Sequence, residues 1–399
     1  MSASGNAVDK PLFPSRLPKV EVTIFTRMSA LAKQHDAVNL GQGFPDFDCD
    51  PTLIRHVSDA MHEGLNQYPP MIGVPDLRQA ISTKIEALYG HHYDAQDEIT
   101  ITAGGTQALF CAIMCAVHPG DEVIVVEPAY DSYIPSIVLA GGIVKPVRMG
   151  IQPRRDSGYS LPFEELERAI TPQTRLLIIN TPHNPTGIIW RKDDMLRLQA
   201  LLEGTNVLLC SDEVYEHIVF DGARHESVAC YTELAGRSFV ISSFSKPFHV
   251  TGWKVGYVAA PRPLTEEFRK IHQFNVFSVN APMQYGIARY LQHEAAYKTL
   301  PDFYQKKRDY FRAGLNSTRL RMLPCEGTYF QAADYSDLNI PEASLSELEF
   351  AQWLTREIKV AAIPMSAFYS RPHDSGIIRF CFAKRESTLR SALERLKAL

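Results

Sequence analysis

Long apolar runs are missing from this 399-residue sequence. No segment reaches the roughly 20 residues that a bilayer-spanning helix needs. The N-terminal stretch MSASGNAVDKPLFPSRLPK has no apolar centre of the kind that marks a secretory signal, so the expectation is a cytoplasmic protein. Charge of one sign is missing too. The 41 Lys and Arg against 45 Asp and Glu give a formal net charge of −4, so no basic field would recruit nucleic acid or an acidic membrane. Cysteine is sparse: Cys49, Cys111, Cys115, Cys210, Cys230, Cys325 and Cys381 are odd in number and never spaced C-x-x-C. That fits reduced, buried thiols better than a disulfide framework. Cys111 and Cys115 lie one helical turn apart, but no second Cys or His pair completes a zinc site, and no metal is expected. Internal repeats, low-complexity tracts and heptads are missing as well.

What is present is an ordinary globular composition, 45% hydrophobic and 22% charged, over a length that allows a large core and two domains. The first residues read as an extended arm, placed to drape over a partner subunit. From about Asp97 short β-branched runs alternate with helical periods. Strands are predicted at Ile99–Thr102, Glu122–Val126, Ile143–Val147, Leu176–Asn180, Val207–Ser211, Phe239–Ser242 and Val255–Ala260. Helices are predicted at Thr106–Val117, Asp193–Leu202 and Pro263–His272. This alternation predicts an α/β domain with a mainly parallel sheet between helices. The ends read differently. Val20–Gln34 has helical spacing, and long helical stretches follow Ala281. Strands are predicted at Thr328–Ala333, Val360–Ile363 and Ile377–Ala383, then a helix from Glu386. Helix-rich ends around a central block predict a smaller second domain built from both termini.

Four segments could carry chemistry. Ser243-Phe-Ser-Lys246 follows an apolar strand and precedes Thr251-Gly-Trp-Lys254-Val-Gly256. A lone lysine after a strand is usually solvated, but a lysine in a partly dry pocket loses its proton readily, as Schiff-base chemistry requires. Ser211-Asp212-Glu213-Val214-Tyr215 puts an acid at the carboxyl end of a strand, where open α/β sheets bind ligands; a helix N-cap is the equal alternative. Asn180-Thr-Pro-His-Asn184-Pro185-Thr-Gly187 is a rigid turn that aims the Asn184 amide, although Asn-Pro is also ordinary turn chemistry. Thr102-Ala-Gly104-Gly105-Thr106-Gln107 joins a strand to a helix and would let backbone approach a phosphate. It matches neither a Walker loop nor G-x-G-x-x-G, so alone it is a weak signal.

Together, and in this order, the four segments resemble the class I/II aminotransferases of fold type I. LGQGFPDF, NQYPPMIGVPDLR, EPAYDSY and IIRFCFAK extend the resemblance over nearly the whole chain. Among subgroups it is most similar to the methionine aminotransferases and the related kynurenine/glutamine aminotransferases, through TPHNP, SDEVYEHI, HQFNVFSVN and LPCEGTYF. The resemblance implies a large domain over residues 48–285 that binds pyridoxal 5'-phosphate. It implies a smaller domain from residues 286–399, to which residues 1–47 add an arm and a part. Lys246 would hold the cofactor as a Schiff base, and Asp212 would pair with the pyridine nitrogen. Asn184 and Tyr215 would bond the ring hydroxyl, and Tyr130 would stack on the ring. The phosphate would lie among Gly105, Thr106, Gln107, Ser243 and Lys254, with Tyr68 supplied by the neighbouring subunit of a homodimer. Arg379 would bind the substrate α-carboxylate, with Gly43 and Asn184 beside it. Phe25, Phe330 and the neighbour's Phe277 and Ser278 would line the side-chain pocket, bordered by Tyr133.

The implied activity is ping-pong transfer of an amino group from an L-amino acid to a 2-oxo acid, with methionine a good donor and aromatic amino acids or glutamine further ones. Two positions depart from the family pattern. Lys254 stands where arginine is common, and Pro247 where threonine is; neither removes a required group. A carbon–sulfur β-lyase would share these residues and differ in its products, pyruvate and ammonia. A transcription regulator built on this fold would need an added DNA-binding domain; with the fold expected to begin near the N-terminus and a net charge of −4, none is expected.

Overall fold

A computed structural model describes residues 13–18, 20–151 and 158–399. The expected N-terminal arm lies, up to residue 12, outside the described residues.

Seven strands form the central sheet. In spatial order they are Ile99–Thr102, Gly256–Ala259, Ser238–Ser243, Leu208–Asp212, Thr174–Asn180, Glu122–Glu127 and Ile143–Arg148. Gly256–Ala259 runs antiparallel to both its neighbours, and the remaining pairs are parallel. The strands read as continuous apolar runs because both faces are covered. Val123, Val125, Leu176, Ile178, Phe239 and Ile241 pack toward the helices Gly105–Ala116, Tyr133–Ala140 and Arg262–Asn275. Their alternates Ile124, Val126, Leu177, Ile179 and Val240 join the other, larger apolar cluster. A period of two, buried on each side, accounts for this split. At about 25 cal/mol per Å² of apolar surface removed from water, such double-sided burial is what drives the sheet to form.

A second, antiparallel sheet holds Arg321–Met322, Phe330–Asp334, Ile377–Cys381 and Ile363–Pro364. Early residues join this region. Val38–Asn39 pairs in parallel with Val360–Ala361. The Asp46 carboxylate accepts the Arg385 N–H at 2.5 Å and the Thr388 hydroxyl at 2.6 Å, at the start of the helix Glu386–Leu396. Residue 285 lies inside the helix Ala281–Leu291, which packs on Pro51–His62.

Some elements differ from expectation. The first helix starts at Ile24 rather than Val20, because the Thr23 hydroxyl caps it by accepting the Thr26 N–H. The run expected over Val360–Ile363 is two strands in two sheets. The strand expected from Thr328 begins at Phe330, because Thr328 sits at φ 63°, a left-handed value no strand accommodates.

Candidate active site

The functional side chains gather where the parallel strands end. Asn180 and Asp212 are register partners and the last residues of adjacent strands. Ser243 ends the next strand and faces Gly256, which faces Thr102. This common edge, with the loop around Gly43 and the strand carrying Arg379, encloses a cavity of about 280 Å³. Among the expected residues, Phe25, Gly43, Gly105, Thr106, Tyr130, Asn184, Asp212, Tyr215, Ser243, Lys246, Lys254, Phe330 and Arg379 line it.

Lys246 follows the strand Ser238–Ser243 and points its Nζ at the Gly43 carbonyl oxygen, 3.3 Å away. It stands 5.9 Å from the centre of the Tyr215 ring. Burial pushes its amine down to about 8; Cys381 opposes this, and the cations Lys254 and Arg379 add to it. Asp212 is 3% exposed, and burial pushes its carboxyl up to about 6. The Tyr133 hydroxyl donates to its Oδ2 at 2.6 Å and the Val214 N–H to its Oδ1 at 3.3 Å, both favouring the carboxylate. An amine and an acid thus line one cavity, each moved toward neutrality.

The turn after the strand Thr174–Asn180 fixes Asn184. Its N–H donates to Asn180 Oδ1 at 2.7 Å, while Asn180 Nδ2 donates to the Asp212 carbonyl at 2.7 Å. Asn184 Oδ1 accepts from Arg379 Nη1 at 2.7 Å, and Arg379 Nη2 donates to the Gly41 carbonyl at 3.2 Å. Arg379 Nε is buried and has no hydrogen-bond partner among the described residues. The guanidinium is 1% exposed and lies 3.9 Å from the Phe330 ring centre, 4.9 Å from Phe368 and 5.5 Å from Phe25. Burial lowers it to about 10, so it stays a cation at neutral pH. Gly43 must be small here: a Cβ on it would meet Phe330 Cζ at 2.9 Å.

At the far end of the cavity the helix Gly105–Ala116 begins after Gly104, whose φ of +80° suits glycine. Its first N–H groups have no intrahelical acceptor. A Cβ on Gly104 would lie 3.3 Å from Lys254 Nζ, which places that cation beside the helix start. The Tyr130 hydroxyl sits 3.2 Å from Thr106 Oγ1. Ser243 Oγ accepts the Ser245 N–H at 3.1 Å.

Several expected residues stand elsewhere. The Gln107 side chain does not reach the cavity. Its Oε1 accepts the Ala103 N–H at 3.0 Å and its Nε2 lies 3.1 Å from His272 Nδ1, because helical phase turns position 107 toward the helix Arg262–Asn275. Only its backbone belongs to the helix start. Tyr133 does not border the cavity; it is 2% exposed behind the wall, bonded to Asp212. Tyr68, Phe277 and Ser278 lie outside the cavity of their own chain, and the rings of Tyr68 and Phe277 meet edge-on at 5.6 Å. Sequence reasoning missed Gln42, Ser245 and Thr251 as lining residues. For Ser245 the signal was available: it lies between Ser243 and Lys246.

Residues 35–396 match the family of aminotransferases of class I and II. The chain belongs to that family. It is 49% identical over 393 residues to a methionine aminotransferase of Escherichia coli, covering 98% of this chain and 100% of the relative. It is 33% identical to a mouse kynurenine–oxoglutarate transaminase, covering 98% of each chain. Among solved structures, that of a methionine aminotransferase from E. coli superposes with a TM-score of 0.93 at 49% identity, covering 98% of this chain and 100% of that one. An aspartate aminotransferase from Rhizobium meliloti superposes at 0.88 with 30% identity, covering 97% and 98%. The aminotransferase therefore has the fold of these enzymes and moves amino groups between amino acids and 2-oxo acids. No helix among the described residues is long and apolar enough to cross a membrane.

Proposed function

We propose that this aminotransferase binds pyridoxal 5'-phosphate in the cavity and takes methionine as a good amino donor by a ping-pong route. The observation that carries the reading is the placement of Lys246 and Asp212 on one cavity whose other wall offers the Arg379 guanidinium, its Nε unpartnered. The donor set fits the cofactor group by group. Asp212 would hold the pyridine nitrogen, Asn184 and Tyr215 the ring hydroxyl, and Lys246 the aldehyde carbon. The start of the helix Gly105–Ala116, with Lys254 and Ser243, would hold the phosphate. When bound, the cofactor supplies an electron sink for cleavage of a bond at the substrate α-carbon.

The chain's own groups do the rest. Arg379 binds the α-carboxylate through its fork. Lys246 Nζ would take up the proton from the substrate α-carbon and give it back on the far side of the amino nitrogen, two bonds away. Fixing the carboxylate decides which α-carbon bond is broken, so a proton leaves and the carboxylate stays. Phe25 and Phe330 exclude water and present apolar surface, against which a thioether packs well.

We propose further that the enzyme is a homodimer whose sites are completed by Tyr68, Phe277 and Ser278 of the partner subunit. Tyr68 is 83% exposed and Phe277 45%, which is costly apolar surface for a monomer to leave in water. Of the expected arm and small-domain part over residues 1–47, the described residues from 20 on would move with 286–399 as the smaller unit, as the pairing of Val38–Asn39 with Val360–Ala361 supports. The test is a spectral titration of the cofactor-loaded protein with a panel of amino acids, beside the Lys246→Ala variant. Methionine should bleach the cofactor band in the parent protein, and the variant should turn nothing over. Near-normal turnover by Lys246→Ala contradicts the reading.

A further inference from the structure

Tyr133 is a buried hydroxyl that the mechanism above does not use. It opens the helix Tyr133–Ala140, is 2% exposed, and packs its ring edge-on against Tyr130 at 5.7 Å. Its hydroxyl reaches across the sheet edge to Asp212, 79 residues away, and donates to Oδ2 at 2.6 Å. Asp212 Oδ1 takes a longer bond from Val214, and the carboxylate also lines the cavity. Other ionisable groups that feel Asp212 are Lys246, Glu213, Cys210, Tyr130 and Tyr215. Glu213 is turned away, with its oxygens on Ser211, His225 and the Val228 N–H.

We propose that Tyr133 is a positioning residue for Asp212: its O–H fixes the plane of the carboxylate and keeps it charged, aimed into the cavity at a pyridine N–H. The inference rests on the pyridoxal 5'-phosphate reading. Two effects compete at Asp212. Burial disfavours the charged carboxylate, and a donated O–H stabilises it. Removing the phenol leaves burial opposed only by the weaker Val214 bond and by Lys246, so the carboxyl takes up a proton at higher pH than before.

The experiment compares the parent protein with Tyr133→Phe, which keeps the ring and its packing. Binding of pyridoxal 5'-phosphate and the absorbance of the bound cofactor are followed against pH. Tyr133→Phe should bind about tenfold more weakly, the loss of one hydrogen bond to a charged group. The loss should be larger at acidic than at alkaline pH, and the midpoint of the absorbance titration should move. In an Asp212→Asn background the same substitution should add nothing, because the group it acts through is gone. A purely packing role would lower affinity equally in both backgrounds and leave the midpoint in place. Equal affinity and midpoint in Tyr133→Phe, or additive losses in the double variant, overturn the inference while the cofactor reading stands. A parent protein that does not bind pyridoxal 5'-phosphate overturns both.

Discussion

Arg379 Nη1 donates to Asn184 Oδ1 at 2.7 Å across 195 residues of sequence, so the group expected to hold the substrate is itself held by the group expected to hold the cofactor. Arg379→Lys keeps a cation but loses the fork that serves Asn184, the Gly41 carbonyl and a carboxylate at once. We expect kcat/KM for amino acids to fall about 10- to 100-fold, the worth of one charged hydrogen bond. Cofactor affinity should change far less. Steady-state kinetics beside a cofactor titration checks this, and equal losses in both would contradict it.

The Lys246 amine is held down to about 8, chiefly by burial. A lysine with a lowered pKa is protonated below that value and neutral above it, and only the neutral amine attacks a carbonyl. Loading of the protein with pyridoxal 5'-phosphate should therefore speed up as pH rises through the region near 8. Lys254→Gln removes a cation that disfavours protonation of Lys246, so its midpoint should rise. Stopped-flow absorbance against pH measures both; a midpoint that falls in Lys254→Gln rules the account out.

Tyr68 and Phe277 lie outside their own cavity. If they serve the partner's, Tyr68→Ala and Lys246→Ala should each be inactive alone, yet regain activity when mixed and allowed to exchange subunits. Hybrid dimers then hold one site with both native groups. An active species that sediments as a monomer would end the idea.

Among the described residues, the cations on the cavity wall are Lys246, Lys254 and Arg379. The first two are proposed for the cofactor and the third for the α-carboxylate, so a second substrate carboxylate would be buried without a partner, a costly arrangement. Methionine should exceed aspartate in kcat/KM by at least about tenfold with a shared 2-oxo acid. A preference for aspartate would sink the pocket reading and leave the cofactor assignment untouched.

The strands that position Asp212, Asn184 and Lys246 were legible because a sheet covered on both faces leaves continuous β-branched runs, and the chemistry sits where those runs stop. The short strand near the start of the chain was not. Val38–Asn39 has no periodicity of its own and exists only because Val360–Ala361 lies beside it. That the Gln107 side chain turns away from Thr106 follows from helical phase, since adjacent helix positions differ by about 100° in direction, and only its backbone stays at the helix start. Tyr133 was read as a pocket wall because its aromatic ring was legible and the partner of its hydroxyl was not. Composition shows that a residue is apolar with a polar tip; it does not show which distant strand the tip meets.

The docking of Asp46 onto the start of Glu386–Leu396 has a consequence for biosynthesis. Phe25 and Gly43 leave the ribosome among the earliest residues described, and Arg379, against which Phe25 stacks, comes near the last. Through most of translation the nascent chain carries one wall of its cavity with nothing to close against, and contacts so distant in sequence form slowly. Closing of the cavity thus waits on the docking of the helix Glu386–Leu396 onto Asp46, beside the loop that carries Gly43.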